Sequence, residues 1–371
     1  MIVSNKDLLE NSMSYIVDGR HRFFNRWRAL EYAVSKNTRD VKFDMFDSVF
    51  SKQCWTKNPE TSWETLCNIR CQQIKNKNRP VVLLWSGGTD SYTVYNALCR
   101  NNVKISAFVT KLRSDENLVN ASVDWLRKTH TDPDTEFIIQ GDEIMNQNYA
   151  NQNCLIDTSC YHTFWVSCPD PATINLLKSK FDNPIIVVGL EKPRLWLENN
   201  NWYSIGIDTF FISAMDPLND VEMFFISPEL PELHIKQCWM LKSWIEQQSH
   251  SITEQFVNHD IHDARKFNWQ TFAQACGRDG DLSNSHIQKI TARDTKIVID
   301  LNNLSNSYMI GRGATIFNQG LIDRHPLIMN YIRSRRMIEE ISQVEPYWSN
   351  SDGSPIGIVT TKFFMGTSNN G

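Results

Sequence analysis

The chain has 371 residues, 41% hydrophobic, 22% charged and 11% aromatic, with a formal net charge of −4. That is enough globular sequence for one large domain or two ordinary ones. The acidic balance argues against a protein that mainly grips nucleic acid, and no apolar run has the length of a membrane span, so no membrane partner is expected. Nine cysteines, an odd number, accompany an N-terminus, "MIVSNKDLLENSMSYIVDGR", with no basic region followed by an apolar one. Reduced thiols in a cytoplasm fit this better than a disulfide framework.

In chain order, residues 1–40 read as helical. Across 20–34, Arg20, Arg22, Arg26 and Arg28 interleave with Phe23, Phe24, Trp27 and Leu30 at helical spacing. Two readings stand for this stretch: a nucleic-acid surface built from cations and rings, or a solvated charged helix face. Arg333, Arg335 and Arg336 pose the same choice. A turn signal at 58 opens a helix over about 62–76, with Thr61 or Ser62 as N-cap and Glu64 in its first turn. Then come a strand at 80–85, a helix at about 90–101, a strand at 104–111, a helix at 117–129 and a strand at 135–141. Helices near 141–149 and 171–180 and a strand at 183–190 follow. Strands and helices alternating at this interval imply a parallel sheet with crossover helices. Beyond 190 the pattern turns helical, at 228–248, 267–278 and 325–343, and residues 356–367 read as a strand pair or extended tail. The expected organisation is an N-terminal helical segment over 1–60, an α/β domain over 61–225 and a mainly helical closing region over 226–371.

The chemistry concentrates in "RPVVLLWSGGTDSYTVYNAL", residues 79–98. A buried strand runs into a glycine-rich turn and then a helix, the arrangement that holds phosphate. Glycines let the backbone approach an anion, and the N–H groups and dipole of the helix start favour negative charge. The Walker pattern and the dinucleotide fingerprint are both missing. What remains is Ser86-Gly87-Gly88-Thr89-Asp90-Ser91. Directly before it, Trp85 either packs on the following helix or lines a nucleotide pocket.

This string resembles the PP-loop of the ATP pyrophosphatase (adenine nucleotide α-hydrolase) superfamily. The resemblance implies a parallel twisted sheet flanked by helices, ATP and Mg²⁺ as cofactors, and cleavage of ATP to AMP and pyrophosphate. The activated acceptor would be a carboxylate or a nucleobase carbonyl, attacked by an amine or ammonia. Ser86, Gly87, Gly88, Thr89 and Ser91 would cradle pyrophosphate, and Asp90 would position Mg²⁺ or the loop. At the end of the next strand, Phe108, Val109 and Thr110 would meet the adenine, unless they are plain core. In "VVGLEKPRLW" (187–196), Gly189 would admit a ligand closely, Lys192 and Arg194 would pair with phosphate and Glu191 would bind metal or orient a nucleophile. The alternative is a solvated loop of mixed charge.

Relatives within the superfamily narrow the acceptor chemistry. The asparagine-synthetase group carries a cysteine nucleophile after the initiator methionine, where this chain has Ile2. "ISPELPELHIKQ" and "TTKFFMGT" are similar to segments of phage-encoded asparagine-synthetase-like proteins that lack the glutaminase domain, so the cytoplasm would be a host's if the source is viral. Sulfur-handling groups use a C-terminal cysteine or a CxxC pair. The chain has neither, and Cys154, Cys160, Cys168 and His162 match no zinc spacing. Nitrogen is therefore expected as the nucleophile. Two rivals stay open: modification of a tRNA or DNA base, and nucleotide binding without catalysis.

Overall fold

Val81–Leu84 (β4) is apolar at every position and buried at every position, which places it inside a sheet covered on both faces. The computed structural model describes residues 12–24, 26–87, 89–111, 116–140, 171–189, 193–206, 221–247, 347–349, 355–358 and 360–368. Before β4 come strands Ser14–Val17 (β1), His21–Phe23 (β2) and Val41–Asp44 (β3), and helices Arg26–Ser35 (α1), Asp47–Phe50 (α2) and Trp63–Asn76 (α3). After it come α4 (Thr89–Arg100), β5 (Ile105–Lys111), α5 (Glu116–Thr129), β6 (Glu136–Gln140), α6 (Pro171–Lys180) and β7 (Ile185–Val188). The remainder comprises β8 (Arg194–Glu198), β9 (Asn201–Ile205), β10 (Val221–Met223), α7 (Pro231–Glu246), β11 (Tyr347–Ser349), β12 (Pro355–Ile358) and β13 (Phe363–Thr367).

Five strands form one sheet in the order β10-β7-β4-β5-β6, and every neighbouring pair is parallel. The α/β class expected from the alternation is present. Side chains alternate between two apolar layers, as the two-residue period of a strand demands. Val82, Leu84, Val109, Ile186 and Val188 enter one core; Val81, Leu83, Phe108, Ile185 and Val187 enter the other. The helix α3 starts where its cap signal stands: the Ser62 side chain accepts from the Thr65 N–H. Cys67 and Cys71, one turn apart on its inner face, are packing residues. Burial pushes the Cys71 thiol up to about 12, so it stays protonated and inert.

Two sequence expectations need correction. The N-terminal segment is mixed rather than helical. Strands β2-β1-β3 make an antiparallel sheet, and only 26–35 of the Arg-rich stretch is helix at length. The cause is a hairpin turn: Asp18 and Gly19 both take positive φ, 50° and 66°, and Arg20 N–H donates to the Val17 carbonyl. An Asp-Gly pair is a strong local turn signal and outweighs helical spacing around it. Arg22, read as a helix-face cation, is a strand residue bonded to Ser14 and paired with Asp44 at 2.9 Å.

The second correction concerns 356–367. Both strands exist, yet they do not pair with each other: β12 pairs with β11, and β13 pairs with β9 in a β13-β9-β8 sheet. Among the described residues past 226 the closing region holds the helix α7 and three strands. The helices expected at 141–149, 267–278 and 325–343 lie outside the described residues. No helix among the described residues is long and apolar enough to cross a membrane.

Candidate functional site: the turn after β4

The strand order fixes where a ligand crevice can form. From β4 the chain winds through β5 and β6 on one side, then returns to place β7 and β10 on the other. The connections leaving β4 and β7 thus diverge to opposite faces, and an open parallel sheet binds ligands at the carboxyl edge of such a switch point. Both segments singled out from sequence, 86–91 and the residues after β7, leave the sheet there.

The turn is internally braced. Gly87 adopts φ 71°, a left-handed conformation that a β-carbon would strain. Ser86 N–H donates to Ser91 Oγ at 3.3 Å, and the two hydroxyl oxygens lie 3.1 Å apart. Ser91 is buried. Its hydroxyl ties the end of β4 to the first turn of α4. Thr89 and Asp90 open α4, the acid in the first turn, where unpaired N–H groups concentrate. Gly88 and Lys192 lie outside the described residues.

Gly189 is the residue whose role changes most. A β-carbon built there would sit 2.9 Å from both the carbonyl carbon and oxygen of Asp90 and 3.2 Å from Ser91 N. What approaches Gly189 is therefore the backbone of α4, not a ligand. The glycine lets the end of β7 press against the helix start, the function of a close-packing glycine in strand–turn–helix nucleotide sites. Two segments 98 positions apart in the chain are thereby locked into one edge.

The residues expected to meet adenine sit in the core. Phe108 packs edge-on against Trp85 and stacks on Phe137, Val109 faces the opposite core, and the Val109 carbonyl accepts from Trp85 N–H at 2.8 Å. Thr110, nearer the carboxyl end, is buried too. Trp85 resolves in favour of packing: it stacks on Trp125 at 5.9 Å and donates from Nε1 to Ser122 Oγ at 2.6 Å. Sequence reading missed Ser122; its signal is a hydroxyl on the α5 face that also carries Val123 and Leu126, all three buried. Arg194 is the first residue of β8, opposite Ile205, and is buried, so the solvated-loop reading does not hold at that position.

Comparison of the chain with family models, curated proteins and solved structures gives no match. The site's chemistry therefore rests on its own geometry. Among the described residues no group of three or more His, Cys, Asp or Glu gathers for a metal. A resident metal cage is not needed for the expected ion, because Mg²⁺ takes one or two carboxylates and completes its shell with water and substrate phosphate. Asp90, partly exposed at the turn, fits that single-carboxylate role.

Proposed function

We propose that the chain is an ATP-dependent adenylating enzyme of the PP-loop type, cleaving ATP to AMP and pyrophosphate to activate a carboxylate or nucleobase carbonyl for attack by an amine or ammonia. The observation that carries the reading is the braced Ser86–Ser91 turn at the switch point, with Gly189 seated against its helix. What supports it is the position of that turn at the carboxyl edge of a switch point, where the Ser-Gly-Gly-Thr-Asp-Ser string would supply the cradle.

In this reading the backbone of 86–89 and the first N–H groups of α4 hold the leaving pyrophosphate. Asp90 would hold Mg²⁺, and the chemistry that ion would supply when bound is positive charge beside the leaving pyrophosphate. Ser91 keeps the turn in shape through Ser86. The buried Phe108 and Val109 form the floor beneath the nucleotide rather than its base clamp. The deciding experiment is product analysis of ATP with Mg²⁺ and the purified chain, with and without a cell extract as a source of acceptor. AMP plus pyrophosphate is the expected result. ADP plus phosphate, or bound ATP with no turnover in any fraction, sinks the adenylating assignment.

A further inference from the structure

The stretch 86–91 is bracketed in the sequence by two aromatic residues, Trp85 before it and Tyr92 after it. Both rings meet a third, Trp125 of α5. The two indoles stack at 5.9 Å with their planes 6° apart, and Tyr92 tilts against Trp125 at 5.6 Å. One side chain from the following helix therefore touches both ends of the turn.

Ser122 stands one helical turn before Trp125, at the spacing that shares a face. Its Oγ accepts from Trp85 Nε1 at 2.6 Å. The stack sets the tilt of the Trp85 ring and the hydrogen bond sets its rotation in plane, so α5 fixes that indole at two points. Tyr95, one turn beyond Tyr92, closes the group edge-on to both indoles, 5.8 Å from Trp85 and 6.1 Å from Trp125. Leu83, Phe108 and Leu126 fill the core beneath and are buried, whereas Tyr92 and Trp125 lie at its margin, partly buried. What rings add at such a margin is orientation, because aromatic pairs prefer offset-stacked and edge-on geometries.

The backbone so oriented is that of the turn. Trp85 N–H donates to the Val109 carbonyl at 2.8 Å, and the next N–H, of Ser86, donates to Ser91 Oγ. The Ser86–Ser91 brace closes the turn from inside; Trp125 holds the residues just outside it.

We propose that Trp125 is a positioning residue for the candidate site, a clasp that keeps Trp85 and Tyr92 at a fixed separation and so holds the 86–91 turn in the shape that receives phosphate. Ser122 is its second point of attachment. Binding constellations need their geometry held to about 0.5 Å, and a displacement of about 1 Å caused from outside the chemistry costs up to roughly a hundredfold in rate. The consequence for ligand rests on the ATP reading above; the clasp itself is measured without ATP.

The test is hydrogen exchange of the Trp85 and Ser86 amides in the full chain, beside ATP titration by calorimetry. Trp125→Leu keeps apolar bulk and removes both ring contacts. It should speed exchange at these amides roughly tenfold, the loss of two aromatic pairs, and weaken ATP binding by roughly the same factor. Trp125→Phe keeps a ring and should restore most of both. Tyr92→Leu should reproduce part of the effect, and adding it to Trp125→Leu should cost little more, since the two residues share one contact. Val103→Ala is the control. Val103 is buried in the same core just past the far end of α4, so this variant should lower the melting temperature and leave both readouts unchanged. Ser122→Ala loses one hydrogen bond and serves if Trp125→Leu does not fold; faster exchange at Trp85 is expected, and an unchanged rate overturns the clasp. Equal acceleration by Trp125→Leu and Val103→Ala, or no rescue by Trp125→Phe, also overturns it and makes Trp125 a packing residue. Faster exchange with native ATP affinity in Trp125→Leu overturns its link to the site. Faster exchange with no ATP bound by the unaltered chain keeps the clasp and faults the ATP reading alone.

Discussion

Single residues carry the site's geometry in three ways. Gly189→Ala puts a methyl 2.9 Å from backbone atoms of Asp90, and backbone cannot rotate aside as a side chain can. The helix start must move, at a cost of roughly 1–3 kcal/mol. The expected result is a lower melting temperature together with weaker ATP binding by calorimetry; a variant with native affinity would show that the β7–α4 contact does not shape the cradle. Gly87→Ala forces an alanine into φ 71°, costing about 1–2 kcal/mol, and should impair nucleotide binding more than stability elsewhere predicts. Asp90→Asn keeps the size and removes the charge, so turnover should fall well beyond any change in ATP affinity. Full activity in that variant removes the carboxylate from catalysis.

At the scale of elements, helix α3 and strand β10 are joined by buried charge. Arg70 has no exposed surface, and it donates to Glu222 at 2.6 Å, Glu229 at 2.9 Å and the Met223 carbonyl at 3.2 Å. Lys77 pairs with the same two carboxylates. Burial pushes the Glu222 carboxyl upward, but the Arg70 and Lys77 charges outweigh it and hold the group below the usual range. A lowered carboxyl contributes stability that is present above its unfolded value and lost as pH falls through its folded value. Glu222→Gln should therefore cost about 3 kcal/mol at neutral pH, the lower end for breaking a buried pair because Glu229 still faces Arg70. The deficit should shrink as pH drops below 4.5, Glu222's ordinary value. Urea denaturation at several pH values measures this, and a deficit independent of pH would assign the loss to packing. The N-terminal hairpin belongs to this scale as well. Its Asp-Gly turn was legible in the sequence, and helical spacing of the arginines obscured it, because spacing describes one face of an element and says nothing about where the element stops.

Across the whole molecule, the N-terminal strands, the β8–β9 hairpin and the C-terminal strand share one core with the parallel sheet. Trp55 stacks on Phe363 at 4.7 Å, and both meet Phe50; Trp55 also meets His234 of α7 edge-on. Residues more than 300 positions apart are thus packed ring on ring. Phe363→Ala should cost roughly 3–5 kcal/mol and lower the single unfolding transition seen by both tryptophan fluorescence and far-ultraviolet dichroism. Two separated transitions, with only one responding, would instead mean that the N-terminal sheet is a unit of its own.

The sequence by itself determined the local matters. Apolar β-branched runs bounded by turns marked β4, β5 and β7, and alternation with helices made the sheet parallel. The glycines and hydroxyls of 86–91 marked the corner between β4 and α4, since strand, sharp turn and helix start are all set within a dozen neighbouring residues. Only the tertiary structure decided what each flagged side chain faces. Phe108 and Thr110 differ in distance from the sheet edge by a few ångströms, which no local pattern encodes. Gly189 was recognisable as a place of close approach, but what approaches it is the backbone of Asp90, brought from 99 residues earlier by the winding of the sheet. The β13–β9 pairing depends on a strand after residue 360 finding one near 200, and such register is chosen by burial of one face, which exists only once the chain has folded.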